Sequence, residues 1–267
     1  MTQTTHVLRD GTELFVRDEG NGSPVLFVHG FPLDHTMWDA QVAAFVGAHR
    51  CLAVDLRGFG QSSVTRGTVT MEQMADDLAN LLDALKIHEP VTLCGLSMGG
   101  YVAWQFWKRH AARLGRLILC DTRAIADTPE GSRQRLEIAD QVESEGTSFL
   151  ADAMLPKLYG SETQTTQPEL VAASRDIILR TVPAGVAAAQ RGMAARPDVT
   201  DWLPSMSIPC LLVTGEQDAI SPVEEMARIA SRLPLAKHTI VPGAGHMAPQ
   251  EQPDLVNQAI REFLSAV

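Results

Sequence analysis

Between two apolar stretches, Cys94-Gly95-Leu96-Ser97-Met98-Gly99-Gly100 sets a serine in a glycine-flanked turn that follows a strand-like run and opens a helix-like one. Glycines at 95 and 99 remove side chains that would collide with the neighbouring strand and helix, so the turn can be sharp enough to project the Ser97 hydroxyl. An alcohol is almost un-ionised near neutral pH. To attack a carbonyl it needs a base within hydrogen-bond reach, and a third group that holds the base in the right tautomer. Downstream of Ser97 the histidines are His110, His238 and His246, and of these His246 stands in a glycine-rich turn, Pro242-Gly243-Ala244-Gly245-His246-Met247. His110 ends an amphipathic segment and His238 lies inside an apolar run, so both read as structural. The acid falls in Thr214-Gly215-Glu216-Gln217-Asp218, which leaves the apolar run at 210–213. Strand C-terminal ends are where α/β sheets carry ligand-facing groups, and Asp218 is the choice, with Glu216 as its rival.

Acyl transfer also needs donors for the developing oxyanion. The amide of Met98, next to the serine, is one candidate. The other is the amide of Phe31 in Val28-His29-Gly30-Phe31-Pro32, where Gly30 permits close approach, proline has no N–H, and His29 reads as a structural hydrogen-bonding residue. Arg123, in Asp121-Thr122-Arg123, has two readings: an ion pair with an acid such as Asp127, or recognition of a substrate carboxylate. Arg123, Gly30 and Met247 are the residues assigned to the substrate pocket. Trp38, Trp104, Trp107 and Trp202 read as packing residues.

These groups must be positioned by something, and the alternation of runs says what. Leu14–Val16 and Val25–Val28, separated by Gly20-Asn21-Gly22-Ser23-Pro24, predict an opening antiparallel pair of strands. Continuous apolar runs at 51–54, 91–94, 117–120 and 210–213 are of the kind buried on both faces of a parallel sheet, with a last strand at 235–241. Met71, Met74, Leu78, Leu81, Leu82 and Leu85 line one face of a helix, and further helices are predicted at 98–110, 222–232 and 253–265. The fold class is therefore α/β, a doubly wound, mostly parallel sheet. From 122 to 200 no buried strand is evident, only helical patterns at 130–145, 147–157, 168–181 and 184–194 punctuated by Pro156, Pro168, Pro183 and Pro197. This stretch predicts an inserted helical cap on a core made of 1–121 and 201–267.

Composition narrows the partners. With 22 Lys+Arg against 32 Asp+Glu and a net charge of −10, a nucleic-acid partner is not expected. No apolar run reaches the length of a membrane span, and the polar N-terminus lacks the plan of a secretory signal, so a cytoplasmic protein is expected. Cys51, Cys94, Cys120 and Cys210 each lie in an apolar run, without metal-site or redox spacing, and read as free core thiols. Neither a metal nor an organic cofactor is called for.

Taken together, His29-Gly-Phe-Pro32, Asp55-Leu-Arg-Gly-Phe-Gly-Gln-Ser62, Gly95-Leu-Ser-Met-Gly-Gly100, Gly215-Glu-Gln-Asp218 and Gly243-Ala-Gly-His246 resemble the α/β-hydrolase superfamily over nearly the whole chain. The order serine, acid, histidine is that superfamily's order. The chain looks most like the small bacterial carboxylesterases, the cofactor-free haloperoxidases and the 3-oxoadipate enol-lactonases. The resemblance implies hydrolysis of a small ester or lactone by Ser97, His246 and Asp218, with Phe31 and Met98 forming the oxyanion hole. Alternatives are perhydrolase or haloperoxidase activity, carbon–carbon bond hydrolysis on the same triad, and a ligand receptor built on a hydrolase fold. The segment 55–62 is expected to be a structural loop supporting the serine turn.

Overall fold

The computed structural model describes residues 2–8 and 10–266. Its centre is an eight-stranded sheet with the strand order β1-β2-β4-β3-β5-β6-β7-β8. β1 (Thr2–Val7) pairs antiparallel with β2 (Glu13–Glu19), and β2 pairs antiparallel with β4 (Arg50–Val54). From β4 onward the pairing is parallel, through β3 (Pro24–Val28), β5 (Val91–Leu96), β6 (Leu114–Cys120), β7 (Cys210–Gly215) and β8 (Ala236–Val241).

This corrects the expected opening pair. β2 and β3 are consecutive but not partners: β3 crosses over to lie between β4 and β5, and β2 takes β1 instead. The reason is burial. All five residues of β3 are buried, which requires neighbours on both sides, whereas β2 becomes more exposed along its second half.

Helices cover both faces. α1 (Asp39–Phe45) follows β3, and α2 (Met71–Ala84) starts where the Thr70 hydroxyl accepts the Gln73 N–H at 3.2 Å. Met71, Met74, Leu78, Leu81 and Leu82 of α2 are fully buried on the side of the sheet that α3 (Met98–His110) also covers. The opposite face is packed by Trp38, Val42 and Phe45, together with Val256, Ile260 and Phe263 from the C-terminal helix.

Between β6 and β7 the chain makes five helices: α4 (Pro129–Glu145), α5 (Ser148–Leu158), α6 (Ser161–Thr166), α7 (Pro168–Arg180) and α8 (Pro183–Ala194). Thr128 caps α4 by accepting the Gly131 N–H at 3.1 Å, and Pro129, Pro168 and Pro183 each sit in a first turn, where a missing N–H costs nothing. Pro156 departs from the expected punctuation, since it lies inside α5. The helices do not form a separate core. Val142, Leu150, Val186, Ala189 and Met193 belong to one cluster with the sheet, and Ala151, Leu155, Leu158 and Ile178 belong to the other. α8 docks closely on the core: Ala188 accepts the Val69 N–H at 3.1 Å, and a Cβ at Gly192 would lie 1.8 Å from the Val69 carbonyl oxygen.

After β7 come α9 (Val223–Arg232), β8, the short α10 (Ala248–Glu251) and α11 (Pro253–Ser265). Among the described residues no helix is long and apolar enough to cross a membrane, and all four cysteines are buried and unpaired.

Candidate active site

The parallel strands β5 to β8 end side by side, and bonds just beyond their last residues hold those ends together. The Ser97 N–H donates to the Cys120 carbonyl at 2.9 Å, the Asp121 N–H to Val213 at 3.0 Å and the Glu216 N–H to Val241 at 3.0 Å. Ser97, Asp121, the 215–218 turn and the 242–247 turn therefore share one edge of the sheet.

Ser97 has φ +52° and ψ −109°, in the left-handed region that a side chain rarely adopts. The packing leaves the turn no alternative. A Cβ at Gly99 would sit 2.3 Å from the Val28 carbonyl oxygen, and one at Gly95 would sit 2.5 Å from that of Gly99. Ser97 is half-buried while residues 93–96 and 98–100 around it are buried, so in this segment the serine is what meets solvent. The Thr122 hydroxyl braces the turn by donating to the Ser97 carbonyl at 2.7 Å.

His246 is buried, and its Nδ1 donates to Asp218 Oδ2 at 2.8 Å. Asp218 Oδ1 accepts the N–H groups of Ile220 (2.7 Å) and Ser221 (3.0 Å). Burial pushes the Asp218 carboxyl upward, but the adjoining imidazole and the two amides outweigh it, and the net shift is below the ordinary aspartate value. Asp218 is thus an ionised acceptor with both oxygens in use. The rival Glu216 is exposed and takes the Gly243 N–H at 3.0 Å. Among the described residues no hydrogen bond joins the Ser97 hydroxyl to the imidazole, a contact that commonly tightens only when substrate binds.

The 28–32 loop lies against the serine turn. A Cβ at Gly30 would come within 2.5 Å of Leu96 Cδ2 and 3.6 Å of Ser97 Cβ. Met98 is the first residue of α3, so its N–H has no acceptor within the helix. His29 is wholly buried: Leu56 N–H donates to its Nε2 at 3.0 Å, which puts the ring proton on Nδ1, where it donates to the Gly30 carbonyl at 2.9 Å. Burial, the largest influence, lowers its pKa, in keeping with a neutral structural ring.

The 55–62 loop supports a different element from the one expected. Asp55 accepts the His35 N–H (2.7 Å), His35 Nδ1 (2.8 Å) and the Gln61 N–H (2.9 Å), so it carries the loop bearing residues 29–35 rather than the serine turn itself. Arg57 anchors it below through two bonds to buried Asp77, at 2.6 and 2.8 Å. Asp34, His35 and Asp55 are close enough to share a cation, yet Asp34 is occupied by Thr36 and Arg180 and Asp55 by the donors just named.

Arg123 does not pair with Asp127, which is held by Arg196 and Arg135. Its Nη2 donates instead to the carbonyl of Ile220, in the turn that clasps Asp218. Met247, assigned to the substrate pocket, is fully buried with Trp38 and Leu158 in the second core cluster. His110 bonds Asp76 (2.7 Å) and His238 bonds the Thr214 hydroxyl (2.9 Å), both away from the serine turn. Trp104 donates to the Arg123 carbonyl, and Lys108 lies over the Trp202 ring.

Two buried acids at this edge were not singled out from the sequence. Asp121, at φ +46°, accepts the Gly215 N–H at 2.8 Å, and burial followed by the charge of Asp218 pushes its carboxyl well above the ordinary value. Glu251 accepts N–H groups from the histidine turn. Nothing in their spacing marks either, because an acid after a strand or in a helix usually reads as solvated.

Several known proteins are similar to this chain along nearly its whole length. A thermophilic esterase from Thermogutta terrifontis superposes with a TM-score of 0.96 at 48% identity, covering 99% of this chain and 98% of its own. A 3-oxoadipate enol-lactonase from Acinetobacter baylyi is 29% identical over 97% of this chain and 96% of its own length. A non-heme chloroperoxidase from Kitasatospora aureofaciens is 29% identical over 96% and 98%. The model of the alpha/beta hydrolase family matches residues 25–259, and with most of the chain so covered, the protein belongs to that family.

Proposed function

We propose that the protein is a serine hydrolase that cleaves carboxylic esters or lactones. Ser97 Oγ attacks the carbonyl as His246 Nε2 takes its proton. Asp218 keeps the other ring proton on Nδ1 and stabilises the imidazolium that forms. The amides of Phe31 and Met98 receive the oxyanion, each donor of this kind contributing about 2.7–4 kcal/mol. The alkoxide leaves with the proton from Nε2, and water, activated by the same imidazole, releases the acid from Ser97.

One observation carries this reading: a half-exposed serine at φ +52° shares a sheet edge with a buried histidine whose Nδ1 is bonded at 2.8 Å to an ionised aspartate. The esterase at 48% identity and the enol-lactonase support the substrate class. Helices α4 to α8 form the cap over the site, with residues 122–200 as its bounds. The cytoplasm is the compartment proposed for it, and four unpaired core thiols are compatible with a reducing environment.

The test is Ser97→Ala. Hydrolysis of a short p-nitrophenyl ester should vanish with the fold intact, and a fluorophosphonate should label wild type stoichiometrically and the variant not at all. Undiminished turnover by Ser97→Ala removes the proposal. The chloroperoxidase relative favours a second activity, in which hydrogen peroxide replaces water at the acyl-enzyme and a peracid is released. Peroxide-dependent loss of acetate ester, measured beside hydrolysis, separates the two.

A further inference from the structure

Glu251 is 3% exposed at the end of α10, and its carboxylate faces only donors. Oε1 accepts the N–H of Gly245 (2.8 Å) and of Met247 (3.2 Å), the residues on either side of His246. Oε2 accepts the N–H of Gly160 (2.7 Å), which links α5 to α6, and the Thr163 hydroxyl faces the same group. The two backbones joined in this way are already in contact. A Cβ at Gly245 would lie 2.5 Å from Gly160 N, and the Met247 N–H also donates to the Leu158 carbonyl at 3.1 Å.

We propose that Glu251 is a positioning residue: it fixes the His246 imidazole by taking the amides on both sides of it, and ties that turn to the 158–163 stretch of the cap. This rests on the ester-hydrolase reading. Holding the N–H groups of Gly245 and Met247, the residues before and after His246, fixes the stretch of backbone that carries its Cα–Cβ bond, so their common acceptor sets where Nε2 points. Both oxygens are required, because the donors lie on opposite sides of the carboxylate. An amide at 251 could serve one side only and would present N–H to N–H on the other. Burial raises the Glu251 pKa above the usual glutamate value, while Thr163 and the three amides pull it back.

Glu251→Gln tests this. On p-nitrophenyl acetate kcat should fall by about ten- to a hundredfold, as expected of a misplaced base, while KM stays within about twofold. The low-field proton resonance of His246 Nδ1–H should shift or broaden in the variant and stay put in a surface control such as Arg175→Ala. If Glu251→Gln does not accumulate as folded protein, Glu251→Asp takes its place with the same readouts. A folded variant with wild-type kcat, or with reduced kcat and an unaltered resonance, overturns the positioning role. That result is distinct from failure of the hydrolase reading itself, which would appear as retained turnover in Ser97→Ala.

Discussion

Asp218→Asn is the substitution whose outcome the geometry fixes most closely. Asp218 gives Oδ1 to two amides, Ile220 at 2.7 Å and Ser221 at 3.0 Å, and Oδ2 to His246 Nδ1 at 2.8 Å. Asparagine has one oxygen and one NH2. Aiming the NH2 at the turn would strand two buried donors, each costing about 1–3 kcal/mol. The oxygen therefore stays on the turn and the NH2 faces the imidazole. Nδ1 must then accept, so the ring proton moves to Nε2, the nitrogen that has to receive the serine proton. A base held in the wrong tautomer costs about 10⁴-fold in kcat, which is about 5.4 kcal/mol of transition-state stabilisation. The exchange is isosteric, so the melting temperature should move little. Saturating rates on p-nitrophenyl acetate, normalised to fluorophosphonate-titratable sites, give the answer. A variant retaining more than about a tenth of wild-type kcat refutes the tautomer argument.

Other outcomes follow from neighbouring contacts. Arg123→Ala removes the donor to the Ile220 carbonyl and should lower kcat equally on neutral and anionic esters; loss confined to anionic esters would return Arg123 to substrate recognition. His35 is raised above 6.5, since burial, which lowers it, is outweighed by the bond and charge of Asp55. A histidine raised on folding contributes stability that is complete below the unfolded value and disappears as pH climbs through the folded one. The melting-temperature advantage of wild type over His35→Gln should accordingly be complete below pH 6.5 and shrink as pH rises above it, and an advantage that stays constant on the alkaline side contradicts the assignment. Gly192→Ala gains about 1 kcal/mol of helix propensity but drives a methyl against the Val69 carbonyl, and overpacking of this kind costs about 1–3 kcal/mol. Because the obstacle is backbone, a net fall in melting temperature is expected; a rise would mean that α8 moves aside freely.

Much of this molecule was legible in the sequence wherever one face or both faces of an element are apolar. The α2 stripe, the buried strands 51–54 and 210–213 and the helices at 129–145 and 183–194 lie where their periodicity puts them. β1 was not legible, because Thr2–Val7 is polar apart from its last residue and is held by backbone pairing to β2. The swap of β3 into the middle of the sheet is set by long-range pairing, which adjacency in the chain hides. In the site, the glycine-flanked turns pointed to Ser97 and His246. The carboxylate of Glu251, which works through backbone amides, left no signal, since its partners are N–H groups that every residue has. The Asp127 pairing expected of Arg123 failed for a related reason: its partner is a carbonyl 97 residues away, not a charge.

At position 97 the proposed chemistry and durability ask for different residues. A side chain held at φ +52° and ψ −109° costs the folded chain about 1–3 kcal/mol, and glycine would occupy that backbone without the penalty. The version of this protein best able to survive heat at that turn is thus one that lacks the proposed nucleophile. Efforts to toughen the protein should accordingly look to the helices and sheet around the turn and leave the turn itself alone.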